Sequence, residues 1–553
     1  MKTLLFLGIN ARWTHSNLAL YYLKSLASQY PYKSILLEET INRDFLEILD
    51  NTYSKKPDII AISVYIWNTD YVRKILANIK KILPEIKIVL GGPEVSHNAE
   101  KWIQKFKAID YIVVGAGEKG FELLLKNDFD YKSSIIKLKN YSFNKISFPY
   151  AKNDLKSLKN KYVYYESSRG CPYKCSFCLS SLENQALDYR DLSTVKQELA
   201  LLLKQNFKII KFVDRTFNAN QLFAREIWQF LTKFKEKTRF HFEIHPQLLA
   251  EEDFQIFRKL KKNKFQFEIG IQSLNTKTLT EINRKQNWKL IKNNIIRLIE
   301  MQNIHIHLDL IAGLPYEDYQ TFQKSFNQVI GLKPDHLQLG FLKVLPGTEM
   351  EKSSRNYQLN YMKTPPYHIL SNRWIAYSEI RILKKIALIV DILYNSHKFE
   401  LTIENLLHQY KNPFSCFYDL ISIFSENWSN RRWKFIANLL LKFIQNKFPQ
   451  QVKFYQDCLR WDWCQITKSH YYPDFLASKQ LWKLKKSGYQ YFKQFSEKGM
   501  IKYNSYNFTI QQLKKAVFFK AESDEFSKIY LRKYKQGIFI ELNDDKQLIE
   551  FEL

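Results

Sequence analysis

The 553-residue chain lacks any apolar run of the ~18 residues that a membrane span needs. Its start, Met1-Lys2-Thr3 followed by Leu4–Ile9, has too short an apolar core and no small-residue cleavage site for a signal peptide. It reads as a first buried strand, and a cytoplasmic protein is expected. Cysteine is scarce, at 6 residues, which excludes a disulfide scaffold. No internal repeat occurs. Acid is in short supply: 55 Asp and Glu against 84 Lys and Arg leave a net charge of +29. Such a field attracts nucleic acid or anionic lipid. The excess is spread, +12 from Tyr361 onward and +17 before it, so no single basic arm carries it.

What is present is globular. Hydrophobic residues make up 45% and charged residues 25%, and the length fits about three domains. Residues 1–130 alternate strand and helix patterns. Strands are expected at Thr3–Ile9, Ser34–Glu39, Asp58–Tyr65, Lys87–Leu90 and Tyr111–Val114, apolar throughout and so buried on both faces. A doubly wound parallel sheet follows, with ligand-binding loops after its strands. Residues 131–160 are polar and Lys-rich and read as a linker with a short strand or two, one of them near Ile135–Leu138. Residues 161–350 hold six more strand candidates: Val163–Arg169, Ile209–Thr216, Phe240–His245, Phe265–Ser273, Ile304–Ala312 and His336–Val344. Six βα units make a partial barrel, with its chemistry at the C-terminal strand ends. Residues 351–553 read as a mostly α-helical domain, with short strands near Tyr506–Ile510 and Gly537–Leu542.

Half of the cysteines fall in one loop, Cys171-Pro-Tyr-Lys-Cys175-Ser-Phe177-Cys178. Soft thiolates at this spacing bind an iron–sulfur cluster or zinc. Three ligands leave one metal of a [4Fe–4S] cube open to an exogenous ligand. A zinc site needs a fourth protein ligand, and the candidates are remote.

The spacing Cys-x3-Cys-x2-Cys, with an aromatic residue before the third cysteine and a strand before the loop, resembles the radical S-adenosylmethionine (SAM) superfamily. The resemblance implies a [4Fe–4S] cluster on Cys171, Cys175 and Cys178. SAM would bind its open iron and be cleaved to a 5′-deoxyadenosyl radical. Further matches extend over Val163–Thr348. Asp214-Arg215-Thr216 resembles the acidic turn near the SAM amino group, and Phe177 belongs to the cluster loop. Glu243, Gln272 with Ser273, Arg284 and Asp309 resemble the SAM contacts of oxygen-independent coproporphyrinogen dehydrogenase. A guanidinium fork suits the SAM carboxylate, which would be the task of Arg284. The acids would accept ribose hydroxyl or ammonium protons.

Gly115-Ala-Gly117-Glu118-Lys-Gly120 is a literal G-x-G-x-x-G. It follows the fifth strand, however, and has no acid at the next strand end, which argues against NAD or FAD. The loop order instead resembles the cobalamin-binding domain that precedes many radical SAM domains. The resemblance implies corrin contacts at Ser63, Gly91, Gly92, Gly115, Gly117 and Glu118. The Asp-x-His-x-x-Gly motif of cobalt-ligating relatives is absent, so His15 is not expected to ligate cobalt. Some relatives keep this sheet and bind no cobalamin, which would leave it as scaffold.

Cys416, Cys458 and Cys464 are expected as buried hydrophobes rather than a second cluster. Trp461, Trp463 and Tyr471-Tyr472 could stack on bases but are expected in the core. The C-terminal segment resembles an uncharacterised DUF4080-like domain, which implies no activity. The expectation is a class B-like radical SAM enzyme, with cobalamin, transferring a methyl group or performing another radical transformation. A flavodoxin- or ferredoxin-like electron donor is expected. The alternative is cobalamin-independent radical modification of RNA. Methylthiolation is disfavoured, because no second cysteine triplet precedes Cys171.

Overall fold

The computed structural model describes residues 1–139, 141–181, 186–234, 237–424, 430–469, 471–542 and 545–552. The chain forms two compact units, Met1–Ile380 and Arg381–Leu553.

The first unit opens with six parallel strands: β1 (Thr3–Asn10), β2 (Lys33–Thr40), β3 (Ile59–Ser63), β4 (Lys87–Gly91), β5 (Tyr111–Val114) and β6 (Ile135–Lys137). Their order is β2-β1-β3-β4-β5-β6. β1 explains the layering. Leu5, Leu7 and Ile9 pack with Val72, Ile75 and Trp102 on one face, and Leu4 and Phe6 pack with Leu20 and Phe121 on the other. Each such side chain contributes roughly 1.5–3 kcal/mol on burial. The order reverses between β1 and β3, and an open parallel sheet takes its ligand in the crevice outside the carboxyl ends of such strands.

The expected linker is more than a connector. β6 joins the sheet, pairing Ile112 with Ile135 and Val113 with Ile136. Phe143, Ile146 and Tyr150 are buried, and Lys24 holds Asp154 at 2.5 Å. Isolated apolar residues in a polar run carry no periodicity, so the sequence pattern conceals this packing.

Six parallel strands follow in sequential order: β7 (Val163–Tyr165), β8 (Ile209–Phe212), β9 (Arg239–Glu243), β10 (Phe265–Gln272), β11 (His305–Ala312) and β12 (His336–Phe341). β7 and β12 are the two edges, so the barrel is partial as expected. One face packs on the crossover helices through Phe212, Phe242, Phe267 and Leu308, all buried. The opposite face carries polar residues at every second position: Lys211, His241 and Glu243, Glu268 and Gln272, His307 and Asp309.

The second unit is helical as far as Lys493. Two three-stranded antiparallel sheets then complete it, Ser496–Glu497 with Met500–Tyr503 and Tyr506–Thr509, and Val517–Lys520 with Gln536–Leu542 and Asp545–Glu550. The expected short strands are therefore parts of a larger β region. Helix Lys479–Lys493 lies close on it: a Cβ at Gly488 would meet the Phe518 ring at 2.5 Å. No helix among the described residues is long and apolar enough to cross a membrane.

Candidate active site

The thiol loop begins just beyond β7, after the short strand Ser168–Arg169. Its backbone is pinned from two sides. Ser176 N donates to Ile282 O at 3.1 Å, and Met350 N donates to Ser176 O at 2.9 Å. Cys175 is buried, and Cys171 and Cys178 are half-buried. Burial pushes the Cys175 thiol up, and Arg284, whose Nη1 lies 3.7 Å from Sγ, opposes that shift. A nearby guanidinium favours thiolate, the form that binds metal. Among the described residues the three sulfurs do not belong to a set of ligand atoms within 4.8 Å of one another. A single tetrahedral ion, with metal–sulfur bonds of ~2.3 Å, needs its thiolates that close, whereas a cube spreads them.

Residues expected around SAM converge from β9, β10, β11 and the segment after helix Thr276–Glu281. Gln272 sits at a register shift of β10 with φ +68°, a left-handed conformation unusual for a side-chain-bearing residue. Its buried Oε1 and the buried Nε of Arg284 have no hydrogen-bond partner among the described residues. Orphaned polar atoms in a buried site fit a missing polar ligand. Glu243 is pushed up to about 7 by burial, and by Glu268. Burial opposes ionisation of Glu268 as well, but His241 at 3.2 Å and His307 at 3.8 Å hold it well below the usual carboxylate range. His307 Nε2 lies 3.0 Å from Asp309 Oδ1, and its ring centroid is 4.2 Å from that of His336.

Two expected contacts do other work. Asp214 is buried, and both its oxygens are engaged: Ser167 N donates at 3.1 Å, Ser167 Oγ at 2.7 Å and Ser168 Oγ at 2.6 Å. It therefore fixes the approach to the thiol loop. Ser273 is also buried, donating to Glu317 at 2.5 Å. Phe177 is half-buried in the loop.

Across the crevice, the loop after β1 is organised by Glu38. It accepts from Asn17 N at 2.7 Å and Asn10 Nδ2 at 3.1 Å, and Lys161 pairs with it at 2.8 Å. Ser63 is buried and accepts from Asn17 Nδ2 at 2.6 Å. His15 Nδ1 shares a 2.6 Å hydrogen bond with the Tyr164 hydroxyl. Tyr65 and Trp67 stack with centroids 4.4 Å apart.

The glycines divide into two kinds. Gly92 has φ +106°, and a Cβ there would meet Val64 O at 2.6 Å, so the fold itself requires it. Gly117 has an ordinary φ of −84°, and a Cβ would come no nearer than 3.9 Å to another residue. A Cβ at Gly91 would come no nearer than 3.7 Å, and one at Gly115 meets nothing within 4 Å. Bare backbone at these three positions leaves an open floor that a side chain would fill. Close approach of a ligand to bare backbone is what the resemblance to cobalamin-binding domains asks of these positions.

Glu118 turns from that floor towards the thiol loop. Arg169 Nη2 donates to Glu118 Oε1 at 2.7 Å, while Nε and Nη2 donate to Glu166 at 3.0 and 2.9 Å. The guanidinium lies over the Phe143 ring at 4.6 Å and the Tyr22 ring at 5.3 Å. Arg169, two residues before Cys171, thus ties the two halves of the crevice together. Sequence reasoning missed it, along with Lys211, His241, Glu268 and His307. The period-2 polar positions of β8 to β11 were the available signal for the last four.

In the second unit, Cys416, Cys458 and Cys464 are buried as expected, with burial pushing each thiol up. Trp461 packs on Phe539 at 4.8 Å and Trp463 on Trp433 at 4.9 Å. Tyr472 donates to Phe518 O at 3.0 Å. Tyr471, by contrast, is 62% exposed.

Comparison with known proteins agrees with this geometry. The B12 binding domain family matches residues 5–125, the radical SAM superfamily 165–329, and the protein of unknown function family DUF4080 355–538. A tRNA-2-methylthio-N(6)-dimethylallyladenosine synthase of Thermodesulfovibrio yellowstonii is 24% identical over 264 residues, 47% of this chain and 59% of the relative. The cobalamin-dependent radical SAM methyltransferase TokK of Streptomyces tokunonensis is 21% identical over 353 residues, 56% of this chain and 50% of the relative. The chain thus spans half to three-fifths of these relatives' lengths. Among solved structures, the cobalamin-dependent S-adenosylmethionine radical enzyme OxsB superposes with TM-score 0.57 at 15% identity, covering 83% of this chain and 75% of that one. The radical S-adenosylmethionine methyltransferase TsrM of Kitasatospora setae gives 0.55 at 16%, covering 66% and 80%. These likenesses show the fold. In chain order, the chain thus carries segments that match a B12-binding, a radical SAM and a DUF4080 domain.

Proposed function

We propose that the enzyme is a cobalamin-dependent radical SAM methyltransferase acting on an unactivated carbon or phosphorus. Cys171, Cys175 and Cys178 would hold a [4Fe–4S] cluster, and the floor of Gly91, Gly115 and Gly117 would hold cobalamin. When bound, the cluster supplies the electron that cleaves SAM to a 5′-deoxyadenosyl radical, and cobalamin supplies a methyl group.

The chain's own residues set the geometry. Arg284, whose Nη2 donates to Gly270 O, offers its unpartnered Nε to the SAM carboxylate. Glu243, Gln272 and Asp309 offer acceptors to ribose hydroxyls and the ammonium group. Lys211, His241, Glu268 and His307 line the inner face below and orient a polar substrate. Arg169 keeps the glycine floor in register with the thiol loop. A flavodoxin- or ferredoxin-like protein would deliver the electron.

The observation that carries this reading is the open glycine floor, tied through Arg169 to a three-thiol loop. The test is cobalamin retention. Anaerobically purified, cluster-reconstituted protein is incubated with hydroxocobalamin and desalted, and corrin absorbance per chain is compared with that of a Gly117→Leu variant. Near-stoichiometric retention, lost in the variant, is expected. No retention would remove cobalamin from the mechanism and leave a SAM-only radical reaction. Gly92 is unsuitable for this test, because a side chain there breaks the fold.

A further inference from the structure

Helix Lys479–Lys493 presents two opposite faces. Leu481, Leu484, Gly488 and Phe492 are buried against the second unit. Lys479, Trp482, Lys483, Lys486, Gln490 and Lys493 are all exposed. At 100° per residue these six fall within a stripe about 100° wide, running ~21 Å along the axis. None of its four lysines forms an ion pair among the described residues. The sequence from Phe475 to Ser496 contains no acid.

Solvation accounts for a lysine stripe. It does not account for Trp482, which stands 67% exposed among those lysines. The ring is set within the cationic stripe itself, where a ligand drawn by the lysines would meet it. Tyr471 flanks the stripe, 62% exposed, with Lys485 Nζ 4.3 Å from its ring centroid. Cationic side chains interleaved with open aromatic faces are the means by which proteins hold single strands: lysines track phosphates, and rings stack on bases. An anionic lipid surface would call for a contiguous apolar face, and the apolar face of this helix is spent on its own core.

We propose that the exposed stripe of helix Lys479–Lys493 binds single-stranded nucleic acid, for which RNA is the probe, with Trp482 and Tyr471 as stacking platforms. The inference stands on the second unit and does not rest on the cobalamin reading.

The test uses the full chain and a fluorescein-labelled single-stranded 15-mer RNA, followed by anisotropy across a salt series. If all four lysines meet phosphates, log affinity falls against log salt with a slope of about −3, at ~0.7 per contact. Lys483→Ala with Lys486→Ala should flatten that slope by about 1.4. Trp482→Ala should weaken binding about tenfold with the slope unchanged. Lys261→Ala with Lys262→Ala, exposed in the first unit, is the charge-matched control and should leave the slope alone. Three results would overturn the proposal. One is no salt-dependent binding. Another is an equal effect of the control pair. The third is binding to phosphatidylglycerol vesicles, with a blue shift of Trp482 emission, in place of RNA.

Discussion

The two six-stranded parallel sheets of the first unit are built alike and used differently. In β1, successive residues are buried on opposite faces, Leu5 and Leu7 on one and Leu4 and Phe6 on the other. In β10, Phe265, Phe267, Ile269 and Ile271 are buried, while Gln266, Glu268 and Gln272 turn the other way. A sheet covered by helices on both sides keeps only its strand ends for chemistry. A sheet curled with helices on one side can also use a whole face. The same βα grammar therefore gives an edge site in one half and an enclosed site in the other, and Arg169 joins them.

The largest effect should come from the thiol loop of the enclosed site. Cys175→Ala is expected to reduce iron and sulfide content sharply and to drop 5′-deoxyadenosine formation to background, with cobalamin retention kept. Retained SAM cleavage would refute the role of the loop.

The contrast between the sheets can be broken directly. Leu7→Asn puts a polar group between two apolar layers and should cost about 3–5 kcal/mol in urea unfolding. His307→Leu, on the charged face, takes a partner from Glu268 and Asp309 and should also cost about 3 kcal/mol. Unlike Leu7→Asn, it should in addition weaken SAM binding, measured by equilibrium dialysis, because Asp309 loses its 3.0 Å partner. Unchanged SAM binding in His307→Leu would mean that the inner face is structural.

Arg169→Met leaves Glu118 and Glu166 buried without their cation and should cost about 3 kcal/mol. Adding Glu118→Gln and Glu166→Gln should recover most of that. If cobalamin retention then stays low while stability returns, the strut positions the floor as well as supporting it.

The smallest effect concerns Glu317. Burial pushes its carboxyl up to about 8, partly opposed by Ser273 and Ser325. The folded state thus keeps a proton that the unfolded chain releases near the ordinary value of ~4.3. Its contribution to stability is full below that value and is lost as pH rises through about 8. Glu317→Gln should change stability by ~1 kcal/mol or less at neutral pH, and should lose less than wild type between pH 6 and 9 in thermal melts. An identical pH profile for both would refute a protonated Glu317.

The order of domains, the two strand series and the thiol loop were all legible in the sequence, because apolar periodicity and cysteine spacing are local properties of the chain. Gln272, Arg284 and Asp309 were legible only through resemblance; the fold then placed orphaned polar atoms of the first two in a buried site. A strand near Ile135–Leu138 and two in the second unit were also legible, but the packed segment around Phe143 and the partners of those strands depend on pairings across long stretches of chain, which no local pattern encodes. So does the division of labour among like residues. Glu118 and Asp214 were read as ligand contacts by resemblance, and only the fold shows that they also brace Arg169 and two serines. Gly92 and Gly117 are alike as residues, and only the fold, through a left-handed φ and the nearness of Val64, separates a glycine the backbone needs from one that leaves room for something else.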